Sequence, residues 1–284
     1  MNRGRAARGG GMQAEAPQTP PCAWQPFTAR GVAAFAHARL ARLLTVQFVF
    51  ALMVAAAVAW FLHHAWVPVL DEFVSRLPEE SEIRGGTLDW RGPAPVLLAE
   101  NRFLGVAVDL DHGGQVRSPA YIHLELGRRG LRVYSLPGYF SVPYPAQAWI
   151  GLNRSSALPW WGAWKPVWVG LTAAFVVIAL MVSWGALASL YAVPVWLVGF
   201  YANRQLGLAG SWRLAGAALM PGSLFMAAMI LLHGLGAVDP LRLGFGFAAH
   251  FLIGWLYLWM APLRAPHIPG AGPPNSNPFA GPKL

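Results

Sequence analysis

Four histidines within or beside long apolar stretches are the side chains of this sequence most suited to binding a cofactor. They are His63, His64, His233 and His250. If the apolar stretches fold as helices of one bundle, three helices bring these imidazoles to a similar depth. Two facing imidazoles can ligate haem iron, and such a group can also hold a divalent metal ion or contact a quinone head group. The alternative is that these are interfacial histidines that snorkel toward water or hydrogen-bond a carbonyl.

A histidine-ligated redox or metal centre lacks supporting groups in this sequence. Metal-bound histidines usually donate their second ring N–H to a carboxylate, and only Asp239 is placed to accept such a bond. The cores of the apolar stretches contain no Asp, Glu, Lys or Arg, which argues against a proton-coupled transporter or an ion pump. We therefore predict no bound cofactor and no metal site, and keep the four histidines as candidate ligands under the alternative.

The other reactive side chains lack the spacing of known catalytic sites. Asp109, Asp111 and His112 in VDLDHGG resemble part of a calcium loop. The Gly and terminal Glu spacing of an EF-hand is absent, so a tight hairpin turn with solvated carboxylates is the preferred interpretation. The sequence has no G-x-S-x-G, HExxH or phosphate-loop pattern, and its single cysteine, Cys22, excludes a CxxC motif. We predict no catalytic residue and no enzymatic activity.

Four apolar segments must position these residues. A bilayer core takes roughly 20 apolar residues in helical form. The segments that reach this length are 43–67, 167–201, 214–235 and 243–262. The second exceeds one crossing, so we predict one span with an extension beyond Pro194, where the proline ring kinks or ends a helix. Whether the extension belongs to a kinked span or forms an interfacial helix stays open. The sequence predicts a membrane α-helical bundle of about four transmembrane helices.

Charges around these segments predict their orientation. Six arginines and one acidic residue, Glu15, precede the first span, and Arg204, Arg213 and Arg264 flank the later ones. Positive charge accumulates on the cytoplasmic side, so we predict cytoplasmic N- and C-termini. A helical hairpin over 167–201 would place Arg204 and Arg213 outside and weaken this asymmetry. The same rule explains the net charge of +9, because basic residues are expected beside membrane spans. The charge is therefore not a sign of nucleic-acid binding, and we predict no nucleic-acid partner.

Residues 68–165 have the composition of a water-facing domain. Ten of the twelve acidic residues lie there, together with nine arginines. Ile122, Leu124 and Leu126 share one face of an alternating stretch, and the glycines at 127 and 130 favour a hairpin after it. The expected elements are a helix over 69–77, a Gly-Gly turn at 85–86, and strands over 96–99, 105–110, 120–126 and 131–134. We predict a small β-rich extracytoplasmic domain inserted between the first two transmembrane helices.

The chain thus divides into five regions. A lead-in over 27–43 either lies as an amphipathic helix on the cytoplasmic membrane face or continues into the first span. Both tails are rich in Pro and Gly and are predicted to be disordered. In order, the regions are a basic tail (1–26), the lead-in with the first transmembrane helix (27–67), the β-rich domain (68–165), a three-helix transmembrane region (166–263) and a C-terminal tail (264–284).

Tryptophans gather where the outer membrane interface is expected. They are Trp66, Trp149, Trp160, Trp161 and Trp164. Such clusters are typical of the aromatic belt at a membrane–water interface. Stacking on a ligand ring or a sugar is the alternative.

Four phrases of the sequence are distinctive: LPEESEIRGGTLDWRGPAPVLL, VDLD, VPYP and SWRLAGAALMPGSL. They resemble a bacterial family of membrane proteins described only as a domain of unknown function, some members of which are labelled maltodextrin-utilisation membrane proteins. Pro78, Ile83, Gly86 and Leu88 match the family's proline and I-x-x-G-x-L phrase, and Pro221 matches a proline in its third span. The resemblance covers 36–263, and the last spans are loosely similar to a Yip1-type bundle. It implies a multi-pass protein of the bacterial cytoplasmic (inner) membrane, and it identifies no functional residue.

The sequence therefore predicts a non-enzymatic accessory or scaffold that presents an extracytoplasmic domain to a partner. The expected partners are the lipid bilayer and a membrane or extracytoplasmic protein, and homo-oligomerisation stays open. The alternatives are a histidine-ligated redox or metal-binding membrane protein and an accessory component of a transport system. The absence of reactive residue patterns favours the scaffold over both.

Overall fold

The computed structural model describes residues 24–268 and consists of a helical bundle and a β-sheet domain. Four helices are long and apolar enough to cross a membrane: Leu40–Ser75, Arg154–Tyr201, Leu208–Gly234 and Pro240–Arg264. The four apolar segments predicted from the sequence therefore correspond to four long helices. The β-sheet domain is inserted between the first two of them.

Local breaks divide these helices into shorter pieces. Pro68 lacks the N–H that would bond to the carbonyl of His64, and the first helix widens into a π-helical turn over Leu62–Trp66. Pro221 begins a new segment in the third long helix for the same reason. The helices are α1 (Ala29–Ala34), α2 (Leu40–Phe61), α3 (Val67–Ser75), α4 (Arg154–Tyr201), α5 (Leu208–Ala218), α6 (Met220–Gly234) and α7 (Pro240–Met260).

Helix α4 is a single helix of 48 residues that contains three prolines, Pro159, Pro166 and Pro194. It is about 72 Å long at 1.5 Å per residue, more than twice the roughly 30 Å of a bilayer core. Asn153 caps its first turn by accepting a hydrogen bond from Ser156 N at 2.9 Å. Of the two alternatives left open beyond Pro194, the structure has the continuous one, because the helix runs to Tyr201. Residues 167–201 do not form the hairpin that the charge asymmetry disfavours. Residues 154–165 are also helical rather than part of the strands.

The bundle is packed most tightly around α5. Leu214, Ala215 and Ala217 are fully buried. Gly216 lets α2 approach, since a Cβ at that position would lie 3.1 Å from Nε2 of Gln47. Gln47 is itself buried and donates to the Gly216 carbonyl at 3.2 Å, which satisfies its amide inside an apolar interface.

The lead-in consists of a separate helical segment over residues 29–37 and the first turn of α2, which begins at Leu40. It forms α1 and a short 3₁₀ turn, and Val32 and Phe35 are fully buried against the bundle. The guanidinium of Arg213 donates to the Ala36 carbonyl at 2.8 and 3.1 Å. These contacts hold the lead-in against α5.

Only parts of the two predicted tails fall within residues 24–268, and residues 1–23 and 269–284 lie outside the described chain. Residues 24–26 and 264–268 pack against the helices. Trp24 lies over the guanidinium of Arg42 at 5.3 Å. Gln205 Nε2 donates to the carbonyl of His267 at 3.0 Å. Disorder is therefore a wrong prediction for these residues.

The β-sheet domain contains two sheets whose neighbouring strands are mostly antiparallel. The smaller has the order β2-β1-β8, and the larger has the order β3-β4-β5-β6-β7 with β4 and β5 parallel. The strands are β1 (Glu82–Arg84), β2 (Thr87–Asp89), β3 (Val96–Glu100), β4 (Leu104–Val108), β5 (Ile122–Leu126), β6 (Gly130–Ser135), β7 (Gly138–Pro143) and β8 (Trp149–Gly151). The predicted strands are all present, whereas β7 and β8 were not predicted.

Two of the predicted turns are confirmed. Gly85 and Gly86 have φ of +59° and +76° in the turn between β1 and β2, the positive values that a two-residue hairpin turn needs. Residues 127–129 connect β5 to β6 in an antiparallel hairpin. One face of the larger sheet, with Leu104, Val106 and Leu126, packs on α3 and the smaller sheet and forms the core of the domain.

Candidate functional site

The β-sheet domain rests directly on one end of the helical bundle. Phe103, in the turn between β3 and β4, contacts Phe61 of α2 and His233 of α6 with ring centroids 5.5 and 5.3 Å apart. Tyr121 stacks on the same His233 at 5.6 Å. His233 is thus a docking residue between the two parts of the molecule.

Two hydrogen bonds from the same turn reinforce this contact. Asn101 Nδ2 donates to the carbonyl of Ala65, in the π-helical turn, at 2.6 Å. Arg102 Nη1 donates to the carbonyl of Gly236, after α6, at 2.9 Å. Because the domain contacts both α2 and α6, it is fixed relative to the helices.

A cavity of about 830 Å³ lies beside this contact between the β-sheet domain and the helices. Three parts of the domain line this cavity: the second face of the larger sheet, the loop between β4 and β5, and the tip of the β6–β7 hairpin. The fourth wall is the start of α7, with Asp239 and Leu241. This volume lies within the range of roughly 300–1,000 Å³ typical of small-molecule sites.

The buried carboxylate of Glu125 is the main charged group in the cavity wall. The side chain is 2% exposed, although its position on β5 alternates with the apolar residues. Nδ1 of His112 contacts Oε1 of Glu125, and the Tyr134 hydroxyl lies 3.5 Å from the same oxygen. A buried carboxylate needs such partners, because an unpaired charge in the protein interior is costly.

His123 lies beside Glu125, with its Nε2 4.0 Å from Oε2 of that carboxylate, which is beyond hydrogen-bond distance. It is 6% exposed, and within residues 24–268 neither ring nitrogen makes a hydrogen bond. Burial lowers the pKa of His123 below its ordinary value of 6.5, while the nearby Glu125 and Glu100 act in the opposite direction. The imidazole is therefore held neutral beside a carboxylate.

The loop between β4 and β5 covers this face of the sheet. Because β4 and β5 are parallel, residues 109–121 cross over rather than form a hairpin, so the hairpin expected at Asp109 and Asp111 is wrong. Asp109 is buried rather than solvated, and its Oδ2 accepts a hydrogen bond from Gly114 N at 2.9 Å. The carboxylate thus shapes the loop that carries His112.

The pair formed by His112 and Glu125 resembles the acid–base half of a catalytic triad, but its geometry supports a structural role. A Cβ at Gly127 would lie 2.1 Å from Nε2 of His112, so the Nε2 edge of the imidazole ring faces the backbone at Gly127. A nucleophile would need to reach that nitrogen. The arrangement orders the loop and leaves His123 as the unpartnered group of the cavity.

The four candidate histidines do not come together. His63 and His64 are exposed, and His64 stacks on Trp60 at 5.2 Å. His233 Nδ1 pairs with the carbonyl of Val238 at 2.7 Å, and His250 Nδ1 pairs with that of Phe247. Among residues 24–268, no group of three or more His, Cys, Asp or Glu side chains is placed to hold a metal ion. Local pairing with carbonyls, the alternative in the sequence analysis, describes His233 and His250.

Two of the clustered tryptophans have a specific structural role. Trp161 Nε1 donates to Oδ1 of Asp71 at 2.6 Å, and Lys165 pairs with the same carboxylate at 3.0 Å. Trp149 Nε1 donates to Oε2 of Glu82 at 2.6 Å. These bonds join α3 to α4 and join the strands of the smaller sheet, in addition to any position in an aromatic belt.

Sequence reasoning missed His123, Glu125 and Tyr134. The alternation of β5 assigned Ile122, Leu124 and Leu126 to the core and left the other face to solvent. A His and a Glu two residues apart on an interior strand were the available signal, since they share one face. That face is covered by the crossover loop. The sequence of this loop has no periodic pattern from which its position could be predicted.

Scans against protein-family models, curated proteins and solved structures find no match to this chain. The resemblance to the maltodextrin-utilisation membrane proteins accordingly stays a prediction.

Proposed function

We propose that this chain is a multi-pass protein of the bacterial cytoplasmic membrane, in which four helices cross the bilayer. The observation that carries this proposal is the outward face of α4. Phe175, Ile178 and Val182 are 70%, 62% and 66% exposed, and they follow helical spacing. A continuous apolar helix face of this length is unfavourable in water and is the expected surface of a helix in lipid.

The distribution of charge supports a cytoplasmic location for both termini. Arg204, Arg213 and Arg264 lie at the end of the bundle that carries α1, where Arg204 and Arg213 donate to the Ala265 and Ala36 carbonyls. The acidic residues belong mainly to the β-sheet domain at the other end. The positive-inside rule then places the β-sheet domain outside the cytoplasm.

Labelling of single cysteines tests this orientation. In a Cys22→Ser background, Gln115→Cys places a thiol on the exposed crossover loop, and Gly207→Cys places one before α5, where a Cβ meets nothing within 4 Å. In intact spheroplasts, we expect a membrane-impermeant maleimide to label position 115 but not 207, and to label both after lysis. Labelling of 207 alone in intact cells would reverse the topology and refute the proposal.

We also propose that the chain is a non-enzymatic accessory protein whose β-sheet domain binds a partner protein. Strand β7 is an edge of the larger sheet, with Phe140 and Val142 exposed by 57% and 45%. The other edge, β3, packs against α3, and Arg76 Nη1 donates to the Leu98 carbonyl at 2.6 Å. An open apolar edge strand is suited to pairing with a strand of another chain.

Site-specific photocrosslinking tests the role of β7. A photoreactive phenylalanine analogue at Phe140 is expected to give a discrete adduct in cells, because this side chain lies on the open edge. The same analogue at Gln115, which is also exposed but lies outside the edge strand, is the matched control. An adduct of twice the chain mass identifies a homo-oligomer. If positions 140 and 115 give the same adducts, or neither gives any, β7 is not a docking edge.

A further inference from the structure

The cavity beside His123 differs from the partner-binding edge and has a distinct chemical character. It lies between the second face of the larger sheet and the start of α7, so its walls come from both the β-sheet domain and the helices. Under the proposed orientation this places the cavity at the outer surface of the membrane. A ligand there can meet water on one side and lipid on the other.

The acidic groups of the cavity already have protein partners. Glu125 is paired with His112 and lies 3.5 Å from the Tyr134 hydroxyl. Asp239 caps α7 by accepting a hydrogen bond from Arg242 N at 2.8 Å, and its other oxygen lies 3.5 Å from Nε of Arg242. Both carboxylates therefore already contact groups of this chain.

The basic groups of the cavity are not paired in this way. Arg117 and Arg132 line it, and among residues 24–268 neither has a carboxylate oxygen within 4.0 Å. The guanidinium of Arg132 lies over the ring of Tyr139, with Cζ 5.8 Å from the ring centroid. The buried imidazole of His123 makes no hydrogen bond among residues 24–268, although its Nε2 lies 4.0 Å from Oε2 of Glu125. Two guanidinium groups without a carboxylate partner within 4.0 Å in the described part of the chain therefore line the cavity.

Apolar side chains form the border of the cavity next to the helices. Leu136, at the tip of the β6–β7 hairpin, and Leu241, in the first turn of α7, line it and are 71% and 60% exposed. Two exposed leucines beside two unpaired arginines match a molecule with an anionic end and an apolar body. Guanidinium groups bind carboxylate and phosphate oxygens in a bidentate geometry.

We infer that this cavity binds the anionic head of an amphiphile, a phosphate or carboxylate held by Arg117 and Arg132 with its apolar body on Leu136 and Leu241. Such an anion is carried by a lipid head group in the outer leaflet or by a smaller soluble molecule. The inference requires the cavity to be accessible from outside the cytoplasm but does not require a partner on β7. A negative result in the crosslinking experiment therefore does not affect the inference about the cavity.

Titration of the purified full chain with n-decyl phosphate tests the inference. The protein is kept in a maltoside detergent with the same alkyl chain, so that the added molecule differs from the background only in its head group, and binding is measured by calorimetry. Inorganic phosphate is titrated separately. We expect saturable binding of decyl phosphate that weakens at least tenfold in Arg117→Gln and in Arg132→Gln. Arg84→Gln, an exposed arginine of the same domain outside the cavity, should bind as the unmodified chain does.

The comparison of ligands separates the sources of the anion. Tighter binding of decyl phosphate than of inorganic phosphate, with a loss only for decyl phosphate in Leu136→Gln, supports an amphiphile such as a lipid. Equal binding of both ligands, unaffected by Leu136→Gln, supports an anion-binding site but refutes the inference that the ligand is an amphiphile. Absence of binding, or equal binding by Arg84→Gln, Arg117→Gln and Arg132→Gln when all three unfold at the same temperature as the unmodified chain, overturns the inference.

Discussion

The central strands of the five-stranded sheet, β4 and β5, are buried on both faces, but by different means. One face carries Leu104, Val106 and Leu126 and is covered by α3 and the smaller sheet. The other carries His123 and Glu125 and is covered by a crossover loop that includes His112. The first face gains free energy from the removal of apolar surface from water. The second must compensate the desolvation of polar groups.

This difference indicates which face stabilises the domain and which is available for binding. Apolar contacts are numerous and replaceable on the first face. On the second face, a few polar contacts hold the loop, and His123 remains unpaired. Buried polar groups without a full set of partners are unusual in folded proteins and mark positions where a ligand can act. The predictions below test this contrast between the two faces.

The largest expected effect is on the apolar face. Leu104 is 1% exposed in the middle of the core, so Leu104→Ala should lower the free energy of unfolding by about 2–5 kcal/mol. Thermal unfolding of the purified chain measures the loss. Leu136→Ala, at a position 71% exposed, is the control and should change stability by less than about 0.5 kcal/mol. Equal effects at the two positions would show that the apolar face does not carry the stability of the domain.

On the polar face, Glu125→Gln should have a smaller effect. The amide keeps the shape of the side chain but loses the charged partner of His112, which we expect to cost about 1–3 kcal/mol. Glu100→Gln is the matched control, because Glu100 is an exposed carboxylate that accepts a hydrogen bond from Ser118 at 2.9 Å. Both variants can be compared by thermal unfolding. If Glu100→Gln is the more damaging change, the buried Glu125 is not the residue that orders the loop.

The lowered pKa of His123 predicts a dependence of stability on pH. The unfolded chain binds a proton on this residue near pH 6.5, whereas the folded chain binds it only at lower pH because burial disfavours the charged form. Stability from this group is therefore complete above about pH 6.5 and is lost as the pH falls through the folded pKa. Unfolding temperatures measured between pH 7.5 and 5 should fall less steeply in His123→Gln than in the unmodified chain.

The pH dependence has a matched control in the exposed His37. His37→Gln should leave the slope unchanged, because this residue lies outside the sheet domain. Glu125, Glu100 and Arg117 also act on the charge of His123, so the slope of Glu125→Gln should differ from that of the unmodified chain as well. Identical slopes for His123→Gln and His37→Gln would exclude His123 as the titrating group.

The smallest expected effect concerns a buried hydroxyl on the apolar side. Burial raises the pKa of Tyr144 to about 12, and its hydroxyl has no hydrogen-bond partner among residues 24–268. Tyr144→Phe removes an unsatisfied polar group and should be neutral or stabilising by up to about 1 kcal/mol. Tyr134→Phe, which removes the hydroxyl beside Glu125 on the other face, should instead be destabilising. A reversal of these two signs in thermal unfolding would contradict the contrast between the faces.

Much of the fold follows from local sequence patterns. The four apolar segments, the Gly85-Gly86 turn and the strand at 122–126 depend on length, positive φ and alternation, each of which is visible within a short window. The continuation of α4 through Pro194 does not follow from such a window, because the lost hydrogen bond is tolerated within a long helix whose remaining backbone bonds are intact. The burial of Phe35 also depends on α5, which is distant in sequence.

The candidate site was less predictable than the fold. The four histidines were selected for their apolar surroundings, but the structure separates them and assigns His233 to the contact between the β-sheet domain and α6. The cavity residues are spread over β5, β6, the crossover loop and the start of α7. Their proximity results from the parallel pairing of β4 and β5, which no local pattern specifies.

The sequence by itself determined the apolar helices, the turns and the separation of a charged domain from an apolar bundle, since each of these depends on the solvent preference or backbone freedom of neighbouring residues. The tertiary structure alone decided which polar groups became buried. Glu125 and His123 are enclosed because the crossover loop, with His112 thirteen residues before Glu125 in sequence, closes over a parallel strand pair. Burial is a property of all the atoms around a group rather than of the group itself.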